Sequence, residues 1–133
     1  QAIVANHYIK KIDLITDMRI KNAHFYDKVL SILPQIKIPH RSSTIKQVFH
    51  LYCIRVSRRD DLQKYLIDNG IDAKVHYPTP MHLQPAAKDF GYSVGDFPFA
   101  ENVCKEVLSL PVHEFITEEQ MEFTVQKIKE FYS

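Results

Sequence analysis

The segment Val48–Val56, with the sequence VFHLYCIRV, constrains the fold of this chain more than any other. It is rich in aromatic and β-branched residues, which favour a strand that is paired on both sides. We therefore predict the central strand of a sheet here. Further strands are predicted at Ile71–His76 and at Val107–Leu110, the latter ended by Pro111, and a short apolar piece at Ile36–Pro39 precedes a polar loop.

Apolar residues recur with helical spacing in the first part of the chain and again after the central strand. From Ile3 to Leu33 the apolar residues recur at spacings compatible with one long helix, which Pro34 ends. A second helix is predicted from Arg58 to Asn69, with Ser57 as its N-cap and Gly70 after its last turn.

Three further helices are predicted in the rest of the chain. One spans about Leu83–Lys88, one runs from Pro98 to about Lys105, and a capping box of Thr117 and Gln120 begins the last, which continues to about Tyr132. Strands that alternate with helices predict an α+β domain. We expect a small antiparallel or mixed sheet of about three strands, packed with helices and preceded by a long linking helix.

We divide the chain into a linking helix, residues 1–33, and one small domain, residues 34–133. Gln1–Ala5 has a helical sequence but offers no initiator Met, no capping residue and no signal peptide. We therefore expect a helix that is truncated at its start.

The balance of charge excludes some classes of partner. There are 17 basic and 16 acidic residues, for a net charge of +1, so no face is predicted to bind nucleic acid. No apolar run approaches the ~20 residues that span a bilayer, so no membrane partner is expected.

The two cysteines, Cys53 and Cys104, lack the spacing of a zinc site, so no metal site is expected. A reducing cytoplasm fits two isolated thiols best, although one disulfide between them stays possible.

Several motifs follow one another in a fixed order from residue 75 onward. They are VHYPTPMHLQP (75–85), GY (91–92), GDFP (95–98), AE (100–101) and EVLSLP (106–111). Two further motifs lie before them, QAI at residues 1–3 and HLYCIRV at residues 50–56. Over essentially the whole chain, these motifs resemble the DegT/StrS-type sugar aminotransferases, also called the DegT/DnrJ/StrS family.

The resemblance implies a fold-type-I pyridoxal-phosphate enzyme, usually a homodimer, that moves an amino group from glutamate to the keto group of a nucleotide-linked sugar. In such an enzyme the protein supplies a lysine that holds the cofactor and a carboxylate for its pyridine nitrogen. The resemblance assigns these groups to a large domain that precedes the linking helix. No catalytic residue, no cofactor-binding residue and no bound pyridoxal phosphate are therefore expected in this chain, whose expected partners are that large domain, a second copy, the nucleotide sugar and glutamate.

His76 and Tyr77 are the predicted substrate-binding residues. They follow a predicted strand, Pro78 and Pro80 stiffen the loop behind them, and both side chains can donate hydrogen bonds to phosphate oxygens. The resemblance implies that this loop borders the active-site cleft and contacts the nucleotide sugar. The alternative is that Tyr77 packs in the core and His76 bonds to backbone. The Tyr77–Pro78 bond is a candidate for a cis peptide.

The other candidate residues favour structural roles. His82 lies six residues after His76 without an obvious acidic partner, and His50 is interpreted as a buried, hydrogen-bonded histidine rather than a residue near the cleft. Glu101 is explained by its place at the start of a helix. The phenylalanines are expected in the core: Phe97, Phe99, Phe115, Phe123 and Phe131.

Three functions are compatible with these patterns. The first is the C-terminal domain of a sugar-nucleotide aminotransferase, inactive by itself. The alternative is a stand-alone module that binds sugar nucleotides or regulates without catalysis. A purely structural or dimerisation role is a third possibility.

Overall fold

A computed structural model describes residues 1–133 and confirms the α+β fold. In chain order the elements are α1 (Ala2–Ile9), α2 (Ile12–Leu30), β1 (Ile36–Lys37), β2 (Tyr52–Val56), α3 (Arg59–Asp68), α4 (Pro98–Glu106), β3 (Val107–Leu110) and α5 (Glu118–Tyr132). Between α3 and α4, where a short helix is predicted at about Leu83–Lys88, two 3₁₀ helices are present, Met81–Leu83 and Pro85–Phe90.

The three strands form one antiparallel sheet in the order β1-β2-β3, which confirms β2 as the central strand. Ile36 pairs with Val56, and Cys53 pairs with Ser109. Because side chains alternate along a strand, this register decides which residues share each face of the sheet.

One face of the sheet forms the core of the domain. Tyr52, Ile54 and Val56 of β2 are buried on this face, as are Leu108 and Leu110 of β3. They belong to a single apolar cluster with residues of α2, α3 and α5, the last two of which also pack on each other. The helices α2, α3 and α5 therefore cover one side of the sheet, and the other side, which we call the polar face, carries Cys53, Arg55 and Ser109 beside Val107.

The predicted single linking helix is wrong in one respect, because it is divided at Lys10 and Lys11. The Lys11 amide donates to the Tyr8 carbonyl at 2.8 Å, a tight turn, and Lys11 itself has φ −115° and ψ 5°. α1 has no buried residue, whereas α2 buries residues along its length. Packing thus supports α2 but leaves α1 without contacts that would hold both in one straight helix.

Two predicted strands are shorter than expected. Phe49 has φ +50°, outside the extended region, so the strand predicted from residue 48 begins only at Tyr52. In the segment Ile71–His76, which is predicted as a strand, the backbone amides of Ile71 and Ala73 donate to carbonyls of nearby residues, as in turns. Lys74 alone pairs with β3, as an isolated bridge to Ser109.

The predicted helix ends are partly confirmed. Gly70 has φ +79° directly after α3, and the Thr117–Gln120 capping box is present at α5. The prediction that Ser57 caps α3 is wrong. Arg58 occupies that position with φ +52°, and the Ser57 carbonyl instead accepts from the Tyr132 hydroxyl at 2.6 Å. None of the helices combines the length and apolar character needed to span a membrane.

Candidate functional site

A polar side chain interrupts the apolar sequence of β3 at Ser109. Leu108 and Leu110 point into the core, so the alternation of the strand sends the Ser109 side chain to the opposite face. Cys53 is its direct cross-strand partner. On the other edge of β3, the backbone of Lys74 exchanges two hydrogen bonds with Ser109, of 3.0 and 2.7 Å, which brings His76 to the same face two residues later.

These three neighbouring backbones place a chain of side-chain hydrogen bonds across the polar face. The Ser109 Oγ lies 3.0 Å from Nδ1 of His76 and 3.2 Å from Sγ of Cys53. Ser109 is buried, and His76 and Cys53 are half-buried. His76 therefore bonds to a side chain rather than to backbone, and its Nε2 makes no hydrogen bond within the chain.

A cavity of about 600 Å³ adjoins this face and is lined by His76 and Ser109. Of the two predicted substrate-binding residues, the cavity contains His76 but not Tyr77. The Tyr77 side chain is 69% exposed, so the alternative that it packs in the core is wrong. The cis peptide bond of this loop joins His76 to Tyr77 and not, as expected, Tyr77 to Pro78.

His50 also lines the cavity and is exposed, so its interpretation as a buried histidine is wrong. It lies between Phe49, where the backbone leaves the extended region, and the start of β2, a position that turns it away from the core. Its carbonyl accepts from Arg19 at 3.3 Å, and Arg19 also pairs with Glu114 at 2.9 Å. The cavity wall therefore joins α2 to the loop after β3.

His82 and Glu101 form a second polar cluster, next to the 3₁₀ segments. Oε1 of Glu101 accepts from the Gly95 amide at 2.8 Å and from the Phe97 amide at 3.3 Å, and it lies 3.1 Å from Nε2 of His82. The Gly95 amide is the main cause that lowers the pKa of Glu101, with smaller contributions from Phe97 and His82. His82 thus does have an acidic partner, contrary to expectation, although no group of three potential metal ligands converges in the chain.

Most of the phenylalanines predicted in the core lie at the surface. Phe99 and Phe115 are 73% and 79% exposed, Phe97 and Phe123 are also exposed, and Phe131 is half-buried. Phe97 and Phe115 lie outside the helices, and Phe99 and Phe123 lie on exposed faces of α4 and α5. The exposed apolar residues of the stretch 77–99, which we call the loop patch, are Tyr77, Met81, Phe90, Tyr92, Val94, Phe97 and Phe99.

The lysines of the chain are poorly suited to hold an aldehyde cofactor. All are exposed except Lys127, which is half-buried and pairs with Glu130 at 2.7 Å. The bond to Glu130 raises the pKa of Lys127, which favours the charged amine rather than the nucleophilic neutral form. None of these lysines therefore has the buried surroundings that favour the neutral, nucleophilic amine.

The sequence-based choice of site residues missed Ser109 and Cys53. The signal for Ser109 was present, because a serine between leucines in a buried strand needs a hydrogen-bond partner. The sequence does not show the register, which pairs Ser109 with Cys53 and with Lys74 and so brings the His76 side chain within hydrogen-bond distance.

The DegT/DnrJ/EryC1/StrS aminotransferase family is described by a model that matches residues 1–129. Two curated relatives match nearly the whole chain. A pleiotropic regulatory protein of Geobacillus stearothermophilus is 39% identical over 99% of this chain, and a dTDP-3-amino-3,4,6-trideoxy-alpha-D-glucose transaminase of Streptomyces venezuelae is 33% identical over 98% of it.

A solved structure supports the same relationship. The crystal structure of DesV from S. venezuelae, in complex with a ketimine intermediate, aligns with a TM-score of 0.94 at 33% identity over 98% of this chain. The chain spans 35% of that structure and 36% and 35% of the two curated relatives.

Proposed function

Because this chain belongs to the DegT/DnrJ/EryC1/StrS aminotransferase family, we propose that it is the smaller, C-terminal domain of a sugar-nucleotide aminotransferase. The complete enzyme transfers an amino group from glutamate to a keto-sugar nucleotide, and this chain contributes part of the substrate site. The observation that carries the proposal is that His76, whose Nε2 makes no hydrogen bond within the chain, lines a cavity and is followed by the exposed Tyr77.

His76 and Tyr77 bind the nucleotide sugar in this proposal. An imidazole N–H and a phenol O–H both donate to phosphate oxygens, and Nε2 of His76 is not committed to any group of the chain. Two such donors on neighbouring residues hold the pyrophosphate and thereby orient the sugar. Positioning of this kind lowers the entropic cost of the reaction, although the bonds to be changed lie elsewhere.

Pyridoxal phosphate belongs to the complete enzyme, where it supplies the electron sink for amino transfer. The exposed lysines of this chain support the proposal that the cofactor-binding lysine lies in the remainder of the protein. We accordingly assign no cofactor-binding or catalytic residue to residues 1–133.

Two exposed apolar surfaces support a large domain and a second copy as partners. One is α1, where Ile3 is 86% exposed and Val4 and Tyr8 are also exposed, and the other is the loop patch. Patches of this kind mark interaction sites in other proteins. In a protein as long as the relatives, these surfaces contact the large domain and the partner copy of a homodimer.

The position of amination is proposed to be carbon 3 of a deoxy- or acetamido-hexose. The name of the Streptomyces relative, a transaminase of a 3-amino sugar nucleotide, supports this choice. A panel of keto-sugar nucleotides that differ in the keto position tests it directly.

The test of the site uses the complete protein and a nucleoside diphosphate probe, dTDP or UDP, whose Kd is measured by calorimetry. We expect His76→Ala and Tyr77→Phe each to weaken binding by roughly 1.5–3 kcal/mol, or about 10-fold to 150-fold, because each removes a hydrogen bond to a charged group. The cofactor absorbance band should be unchanged.

His40→Ala is the matched control, because His40 is exposed and lies outside the cavity. Unchanged affinity in both site variants, or no binding of either probe by the wild type, would refute the proposed substrate site.

A further inference from the structure

We propose that Ser109 and Cys53 are positioning residues that fix the ring of His76 with its proton on Nε2, so that this nitrogen donates to an anionic oxygen of the ligand. This inference rests on the proposed role of His76 in binding the nucleotide sugar, and it adds the residues that set the direction of its hydrogen bond.

The geometry defines a three-member chain. Ser109 Oγ stands between Sγ of Cys53, at 3.2 Å, and Nδ1 of His76, at 3.0 Å. The backbone N–H and C=O of Ser109 are already used in the bonds to Lys74. The hydroxyl is therefore the only group of Ser109 that can act on the His76 ring.

The donor and the acceptor in each of these hydrogen bonds are fixed if His76 binds an anion. A phosphate oxygen accepts only, so Nε2 must carry a proton to bond to it. In a neutral imidazole Nδ1 is then an acceptor, and the Ser109 hydroxyl must donate to it. The Ser109 oxygen is left with free lone pairs, and the Cys53 S–H can donate to one of them.

The position of Ser109 suggests a role beyond strand formation. Val107, Leu108 and Leu110, the other residues of β3, are apolar and buried, so a small apolar residue would suit the packing of the strand. A buried hydroxyl instead requires partners, and it finds both on residues of neighbouring backbone segments. The serine thus links the sheet register to the orientation of one ring in the cavity.

A double-mutant cycle in the complete protein tests this coupling, with dTDP or UDP as the probe. Ser109→Ala is expected to raise Kd about fivefold, as for loss of one hydrogen bond that orients a ligand donor. In the His76→Ala background the same substitution should change Kd by less than about twofold, because the ring on which it acts is gone. An equal effect of Ser109→Ala in both backgrounds, or none in the wild type, would overturn the proposal.

Conservative and control variants separate positioning from packing. Ser109→Thr keeps the hydroxyl and should bind the probe within about twofold of wild type. Cys53→Ala should weaken binding, whereas Cys104→Ala, which removes the other half-buried free thiol, should not. Equal effects of the two cysteine substitutions would contradict the role of Cys53.

The ring tautomer is the most specific measurement. In ¹⁵N-histidine-labelled complete protein, with His76→Ala used to assign the signals, we expect the His76 ring to be protonated on Nε2 and not on Nδ1. A ring protonated on Nδ1 would overturn this inference even if His76→Ala weakens binding. Unchanged binding in His76→Ala would instead remove the proposed function on which the inference rests.

Discussion

The phenolic oxygen of Tyr52 lies 2.8 Å from Oδ1 of Asp27, to which it donates, and so joins the central strand to helix α2. Both oxygens of the same carboxylate also accept from Arg41, each at 3.1 Å. Tyr52 is fully buried, and its ring packs on that of Tyr26 with centroids 5.1 Å apart. One carboxylate therefore anchors a strand, a helix and the loop between them.

Tyr52→Phe should destabilise the domain by about 1–2 kcal/mol, because it removes a buried hydrogen bond to a charged acceptor while it keeps the ring. Tyr26→Phe is the matched control. Tyr26 is equally buried, but its hydroxyl has no hydrogen-bond partner, so its removal should cost about 0–0.5 kcal/mol or even stabilise the fold. Urea unfolding of the two variants gives the comparison, and a larger loss for Tyr26→Phe would contradict it.

Alkaline pH should weaken the fold through the same two tyrosines. Burial raises the pKa of Tyr26 from 10.0 to about 12 and raises that of Tyr52 further, with Asp27 as an additional cause for Tyr52. Because both folded pKa values exceed the unfolded value, their stabilising effect is complete below pH 10 and is lost as pH rises above it. Between pH 10 and 12 each tyrosine should lower the unfolding free energy by up to about 1.4 kcal/mol per pH unit.

Spectrophotometric titration checks this prediction, because a phenol and its phenolate differ in ultraviolet absorbance. We expect the last phenols to ionise together with loss of the fold. The double variant in which Tyr26 and Tyr52 are both Phe should show a flatter dependence of stability on pH. An equally steep dependence in that variant would contradict the assignment.

Acid pH should loosen the turn that Glu101 holds. The amides of Gly95 and Phe97 and the ring of His82 lower the pKa of this carboxyl, so its contribution is present above its ordinary value of 4.5 and is lost as pH falls below it. Glu101→Gln should have the same effect at neutral pH. Hydrogen exchange at the Gly95 and Phe97 amides should become faster in this variant and stay unchanged in Glu122→Gln, an exposed control. Equal protection in all three proteins would contradict this role.

The apolar face of α1 should promote self-association of the isolated chain. Replacing Ile3, Val4 and Tyr8 with Glu removes that face without loss of any buried contact, since α1 buries no residue. We expect less binding of a hydrophobic dye and a smaller sedimentation coefficient, whereas Asn6→Glu should change neither. A strictly monomeric wild-type chain without dye binding would contradict this interpretation of α1.

The sequence predicted the parts of the fold that local chemistry determines. The branched and aromatic residues of 52–56 marked the central strand, and Thr117 with Gln120 fixed the start of α5 through side-chain and backbone bonds only three residues apart. Gly70 ended α3 because its backbone adopts a positive φ. In each case the determining contacts lie within a few residues.

The remaining features depend on contacts between distant parts of the chain. The division of the predicted linking helix into α1 and α2 follows from the lack of packing on α1, and the pairing of His82 with Glu101 joins residues 19 positions apart. Ser109 could be recognised as unusual, but its bond to His76 spans 33 positions and depends on the register of the sheet. Spacing along the sequence carries little information on such pairs.

Covalent labelling with pyridoxal phosphate tests the central claim most directly, namely that this chain is one domain of an aminotransferase and lacks the cofactor-binding lysine. The chain is incubated with the cofactor, the adducts are reduced with borohydride and located by peptide mass spectrometry, and turnover of a keto-sugar nucleotide with glutamate is assayed in parallel. We predict scattered substoichiometric labelling of exposed lysines, no turnover by this chain, and turnover by the complete protein. One dominant labelled lysine at one cofactor per chain, together with turnover, would contradict the account and make residues 1–133 an enzyme in their own right.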